Sequence, residues 1–132
     1  MERNFFTIDA QMPSLNDYQA ACRANKYRGA SFKEETEQVV LWALFEAKRA
    51  GTLRKVRPEE YPVKLRIEWH EKDKRRDVDN IKSAAKFVLD AMTQSKLITD
   101  DSRKYVAQIY DEVIDDKRTY VVVEILPNGG KQ

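Results

Sequence analysis

The stretch KRRDVDNIKSAAKFVLDAM, Lys74 to Met92, decides how the chain folds. Lys74, Arg75 and Arg76 run straight into Asp77 and Asp79, after which Ile81, Ala85, Val88 and Met92 recur at spacings of four, three and four. That is the period of an α-helix with a single apolar stripe, and it predicts a helix from about Asp79. Upstream, directly after Pro62, the side chains Val63, Leu65, Ile67 and Trp69 alternate with Lys64, Arg66, Glu68 and His70. A period of two is that of a strand with one buried face. A half-buried strand followed by an amphipathic helix implies helices layered on a sheet.

Working outward, Asn4 to Ile8 (NFFTI) is rich in aromatic and β-branched residues and predicts a short strand. Pro13 and the following SLND predict a turn, and the loop is expected to run on through Arg23 and Tyr27 to Gly29. Ser31-Phe-Lys-Glu34 has the form of a capping box, so a helix is expected from Ser31 through Val40, Leu44 and Ala47 to a stop at Gly51. Trp42, Phe45 and Trp69 are assigned to the core, and His70 to the polar side of its strand with no catalytic role. Arg103–Asp111 and Thr119–Leu126 predict two more strands, joined by a hairpin loop at Asp115-Asp116-Lys117. The segment 127–132 is expected to fray. The order β-α-β-α-β-β gives an α/β (α+β) fold, a small mixed sheet carrying two main helices, in one domain over 1–132.

Charged residues make up 35% of the 132 residues and hydrophobic ones 42%, which describes a folded, highly charged protein rather than a disordered or membrane-spanning one. Cys22 is the single cysteine, so no internal disulfide can form and a reducing, cytoplasmic setting is expected. MERNFFTIDA lacks the apolar run of a signal peptide, and no stretch approaches the ~18 apolar residues of a membrane span. Net charge is only +2, but it is segregated. Arg23, Lys26 and Arg28 form one stretch free of acids, and Lys48, Arg49, Arg54, Lys55 and Arg57 another. Lys72, Lys74, Arg75 and Arg76 follow, broken by Asp73 alone, while acids dominate from Asp100 to Asp116. Segregation of this kind suggests a basic face for a polyanion, with solvated loops as the plain alternative.

Asp77 and Asp79 are two residues apart, and in extended chain such neighbours point to one side. Their repulsion is relieved by a divalent cation, and hard carboxylate oxygens suit Mg²⁺ or Mn²⁺. Asp100 or Asp101, after the helix, supplies a third carboxylate. Each acid also has an ordinary reading: Asp79 as an N-cap worth about 1 kcal/mol, Asp77 as a partner of Arg75 or Arg76, and Asp100-Asp101 as a loop dipeptide. Lys82, Lys86 and Asp90 stand at i, i+4 and i+8, which gives either a solvent-exposed ion-pair ladder or a lysine clamp beside a metal.

The segment RDVDNIKSAAKFVLDAMTQSKLITDD resembles the core motif of the RusA-like Holliday junction resolvases: R-x-D-x-D-N, a helix with a lysine four residues ahead of an aspartate, then an acidic pair. Arg76, Asp77, Asp79 and Asn80 match its first part, Lys86 and Asp90 the second and Asp101 the third. PSLNDYQAACRANKYRGA is similar to the family's P-S-x-N and Arg/Tyr-rich loop, so the resemblance covers most of the chain. In shorter members the lysine follows the second aspartate by four residues; here Ser83 stands there and Lys86 follows by seven, which keeps Lys82 as the alternative. The resemblance implies a homodimeric, Mg²⁺-dependent endonuclease that cuts four-way DNA junctions symmetrically, of a type found in bacteria and their prophages. It would have Asp77, Asp79 and Asp101 on the metal, Asp100 as a further candidate ligand, and Lys86 at the scissile phosphate. Arg23, Lys26, Arg28, Arg75, Arg76, Asn80 and Lys82 become the candidates for DNA contact, and Tyr18 or Tyr27 for stacking on bases. Two readings stay open beside it: a non-catalytic junction-binding module, and a metal nuclease of flaps or other branched DNA.

Overall fold

The protein is described here from a computed structural model, over residues 3–128. The strands are β1 (Phe5–Ile8), β2 (Val63–Glu71), β3 (Val106–Asp115) and β4 (Tyr120–Leu126). The helices are α1 (Leu15–Ala24), α2 (Lys26–Ala50), α3 (Val78–Lys82) and α4 (Ala85–Gln94), with a 3-10 turn at Pro58–Glu60. The expected β-α-β-α-β-β order holds, with α1 added in the segment expected as a loop and the second expected helix split into α3 and α4. The strands lie in the order β1-β4-β2-β3, with β4 antiparallel to both β1 and β2, and β3 parallel to β2.

The alternation read in β2 is what builds the core. Val63, Leu65, Ile67 and Trp69 are buried, and across the ladder Leu65 meets Ile125, Ile67 meets Val123 and Trp69 meets Val121. Phe6 and Ile8 of β1 extend that apolar face, and α2 and α4 cover it with Val40, Leu44, Phe87, Val88 and Met92. Side chains of this size contribute about 1.5–3 kcal/mol each when fully buried.

Five expectations need correction. The SLND segment is the start of a helix: Ser14 Oγ accepts from the Asp17 amide at 3.1 Å, and Asp17 Oδ2 accepts from the Ser14 amide at 2.9 Å. The capping box read at Ser31 is not one, because α2 begins five residues earlier at Lys26, capped by Asn25 Oδ1 on the Arg28 amide at 2.8 Å. A serine followed three residues on by an acid caps a helix only where the backbone leaves the amides free. At Ser31 they are already bonded within α2, whereas at Ser14 they are not.

The Asp115-Asp116-Lys117 segment does not close a hairpin. It carries the chain past the end of β2, so that β3 and β4 flank that strand on opposite sides. The Asp116 amide there donates to the Glu71 carbonyl at 2.9 Å. Turn chemistry signals that the chain reverses, not which strand it then pairs with. Finally, Trp42 and Phe45 are not core residues, being 62% and 51% exposed. Trp69 is core, as expected. His70, expected on the polar side, is buried. α2 ends at Gly51, whose φ of 84° is the left-handed conformation a glycine C-cap supplies. Of the segment expected to fray, Asn128 donates its amide to the Glu60 carbonyl at 2.9 Å, and 129–132 fall outside the described residues. Among the described residues no helix is long and apolar enough to cross a membrane.

The two candidate caps separate in a urea titration. Ser14→Ala is expected to cost about 1 kcal/mol of stability, while Ser31→Ala, on the exposed side of a helix interior, is neutral or stabilises by a few tenths of a kcal/mol.

Candidate functional site

The parallel pairing of β2 with β3 sets the geometry of the acids. Parallel neighbours need a crossover that returns the chain to the end of the sheet where the first strand began. Here the crossover is α3 and α4. Asp77 and Asp79 stand at its start, beyond the C-terminal end of β2, and Asp100 and Asp101 at its finish, in the loop before β3. The structure therefore does not bring all the candidate acids to one place. Among the described residues, no group of three or more His, Cys, Asp or Glu side chains is placed to hold a metal ion.

What the structure does bring together is Lys86, Asp90, Asp100 and Asp101. They line one open cleft of ≈ 480 Å³ with Thr93 and Gln94 of α4 and with Lys33 and Glu37 of α2. Lys86 Nζ lies 3.5 Å from Asp90 Oδ2, and its side chain is well exposed. Sequence reasoning missed Lys33 and Glu37, which reach the cleft only because α2 packs along α4. No spacing within either helix could signal that.

The helix expected from Asp79 to Met92 is interrupted at Ser83 and Ala84, and the break sorts the two lysines. Lys82 is turned onto β3, where its Nζ donates to the Asp111 carbonyl at 3.1 Å and lies 3.5 Å from Asp111 Oδ1. Asp111 in turn accepts from Trp69 Nε1 at 3.0 Å. Lys82 thus holds α3 to the sheet, and the Lys82-Lys86-Asp90 ladder keeps only its second rung.

Asp77 occupies the N-cap position of α3 without a side-chain capping bond, and both it and Asp79 are exposed. The Asp79 carboxylate bonds to the Asn80 amide at 3.0 Å. The P-S-x-N segment docks against this turn. Asn16 Nδ2 donates to Asn80 Oδ1 at 2.8 Å, and the Leu15 amide donates to Ser83 Oγ at 3.0 Å. Asn80 and Lys82, candidates for DNA contact, are thus engaged inside the chain.

The other cationic candidates divide as well. Arg23, Lys26 and Arg28 are exposed at the α1–α2 corner, where Tyr27 is exposed too. Tyr18 instead packs among Phe32 and Phe87, with ring centroids 6.0 and 5.9 Å away, and serves the core. The Arg75 side chain is 89% exposed, whereas that of Arg76 is 19% exposed, 3.6 Å from the buried Glu71 carboxylate. Arg76 Nη2 is buried with no hydrogen-bond partner among the described residues. Burial pushes the Glu71 carboxyl up, and the Arg76 guanidinium opposes that shift.

His70 is fixed by two carboxylates, Nδ1 at 2.8 Å from Asp116 and Nε2 at 2.9 Å from Glu68, with its ring stacked on Tyr120 at 4.1 Å. The Lys117 amide first, and His70 next, hold Asp116 below the usual carboxylate range. This cluster ties the β3–β4 connection to β2.

The donors at both ends of the crossover are hard oxygens, which suit Mg²⁺ in kind. That ion usually takes one or two protein carboxylates and completes its shell with water and phosphate, so the lack of a three-carboxylate cage does not disqualify the set. A family model described as Endodeoxyribonuclease RusA matches residues 5–126 of the chain. No curated protein matches it.

Arg76 and Arg75 have opposite expected costs in chemical denaturation. Arg76→Ala strands a buried carboxylate and is expected to cost about 3 kcal/mol at neutral pH. Glu71, raised by burial, then opposes folding wherever it must ionise. The penalty is full above its folded pKa and disappears as pH falls below the ordinary value of 4.5. Arg75→Ala is expected to stay within about 0.5 kcal/mol of wild type.

Proposed function

The chain belongs to the RusA endodeoxyribonuclease family, and on that premise we propose that it resolves four-way DNA junctions by Mg²⁺-dependent hydrolysis at the cleft of Lys86 and Asp101. The observation that carries this reading is the meeting of Lys86 with Asp100 and Asp101 in one open, polar cleft. Lys86 is the cation of that cleft nearest the motif's pattern, and Lys82 is committed to Asp111.

Asp101 is the proposed metal carboxylate of this cleft, with Asp100 as the further candidate, while Asp77 and Asp79 lie outside it at the other end of the crossover. When bound, Mg²⁺ supplies an activated water and charge neutralisation at the phosphoryl oxygens. The chain's own part is electrostatic. Glu37, Asp90, Asp100 and Asp101 outnumber Lys33 and Lys86 in the cleft, so a bare phosphate is repelled until cationic charge is added. Lys86, free to swing from Asp90, then stabilises charge that develops on the phosphate. Arg23, Lys26, Arg28 and Arg75 are exposed and positioned to meet the DNA backbone.

Symmetric cutting of a two-fold junction calls for a two-fold dimer. Support for one comes from the side of α2 turned away from the core. Glu35, Gln38, Trp42, Phe45 and Arg49 recur there at spacings of three, four, three and four, the seam of a coiled coil. The Trp42 and Phe45 rings stack at 5.5 Å in the middle of the seam, with acid at one end and base at the other. An antiparallel copy would set Glu35 near the partner's Arg49 and cover both aromatic rings, whereas a parallel copy would oppose like charges. We propose this antiparallel α2 pairing as the dimer contact.

Two measurements test the reading. On a synthetic four-way junction with Mg²⁺, Asp101→Asn should abolish cleavage. Lys86→Ala should lower kcat about 10²–10³-fold, while Lys82→Ala chiefly loses stability; undiminished cutting by the Asp101 variant contradicts the assignment. In sedimentation equilibrium, Trp42→Glu should give a monomer. Glu35→Arg and Arg49→Glu should each weaken association, and the double variant should restore it.

A further inference from the structure

Tyr61 follows the 3-10 turn Pro58–Glu60, and its hydroxyl accepts a hydrogen bond from the Thr99 amide at 2.9 Å. The residue before Asp100 is thereby pinned. The Tyr105 ring meets Tyr61 edge-on, with centroids 5.1 Å apart. Beneath them lies buried Val56, whose amide donates to the Leu97 carbonyl at 3.0 Å. Lys55, Arg57 and Lys104 stand around the rings and are exposed, and Lys104 Nζ lies 5.5 Å from the Tyr105 centroid. With Pro58 and Thr99 these residues line a cleft of ≈ 790 Å³.

Its lining holds three cations and no carboxylate, the reverse of the acid cleft. The nearby Glu60 is already spent. Two hydrogen bonds from Arg54, at 2.9 and 2.7 Å, outweigh its burial and, with the Arg57 amide, hold it down to about 2. The two clefts adjoin through one loop, since Thr99 lines the cationic one and Asp100 and Asp101 line the acid one.

We propose that the Tyr61/Tyr105 cleft is a second DNA subsite, which takes the phosphate and an unstacked base of the strand flanking the cut. The nuclease reading supplies the identity of the polyanion; the cleft supplies the chemistry. Three like charges on one rim repel one another until an anion arrives, and a backbone phosphate relieves all three. An apolar floor and two tyrosine rings add nothing for a bare phosphate, but they suit a base that has left its stack. Strands at a branch point offer such bases next to their phosphates. A subsite that touches the same loop as Asp101 would set which phosphate of the strand enters the acid cleft.

The test is junction binding in EDTA, read by fluorescence anisotropy on a fluorescein-labelled four-way junction carrying 2-aminopurine beside the branch. Lys55→Glu and Lys104→Glu, both at exposed positions, should weaken binding about tenfold and lower the salt slope by about one. Tyr105→Leu should weaken binding about fivefold or more and abolish the change in 2-aminopurine emission. Lys117→Glu, at the far end of the sheet, should match wild type. If the Lys55 and Lys104 reversals bind as wild type does, or Lys117→Glu weakens binding equally, the subsite is wrong while the nuclease reading stands. If wild type itself neither binds nor cuts the junction, both fall.

Discussion

The parallel register of β2 and β3 is the constraint from which the rest follows. It forces a crossover the length of the sheet, so a motif that is compact in sequence is spread from one end of the sheet to the other. The crossover cannot be a straight helix, because α3 is held to β3 by Lys82 and Asp111 while α4 packs against α2. The break at Ser83 and Ala84 is where those two attachments are reconciled. It also sends Lys82 to Asp111 on β3 and leaves Lys86 lining the acid cleft.

The cores of the elements were legible in the sequence because burial leaves a period. The alternation of β2 shows in Val63 to Trp69, and the stripe from Ile81 to Met92 survives the helix break because a turn of two residues barely shifts its phase. The stop at Gly51 was legible because a left-handed residue favours glycine. Partners were not legible. The β3–β4 turn carries the local signal of a hairpin, since reversal and pairing share it. Trp42 and Phe45 carry the composition signal of core residues, because a large apolar side chain looks the same in sequence whether it faces the sheet or solvent.

For the candidate site, residue types were legible and distances were not. Lys86 and Asp101 meet in one cleft, but Asp77 and Asp79 stand outside it. Arg75 and Arg76 are adjacent in sequence, yet one is a solvent-facing cation and the other half of a buried pair. The cationic cleft went unread because Lys55, Arg57, Tyr61 and Lys104 come from two segments joined only by the fold. On the proposed reading, the acid cleft repels a bare phosphate and its neighbour attracts one, so a DNA strand would be held at one place and processed at the next.

The most direct test of this account is an anomalous-scattering map from crystals grown with Mn²⁺ and a four-way junction. The account predicts a manganese peak about 2.2 Å from a carboxylate oxygen of Asp101, in the cleft that also holds Lys86, with a DNA phosphate in its shell. A cleft without manganese, or manganese held elsewhere with the phosphate far from Lys86, would contradict it.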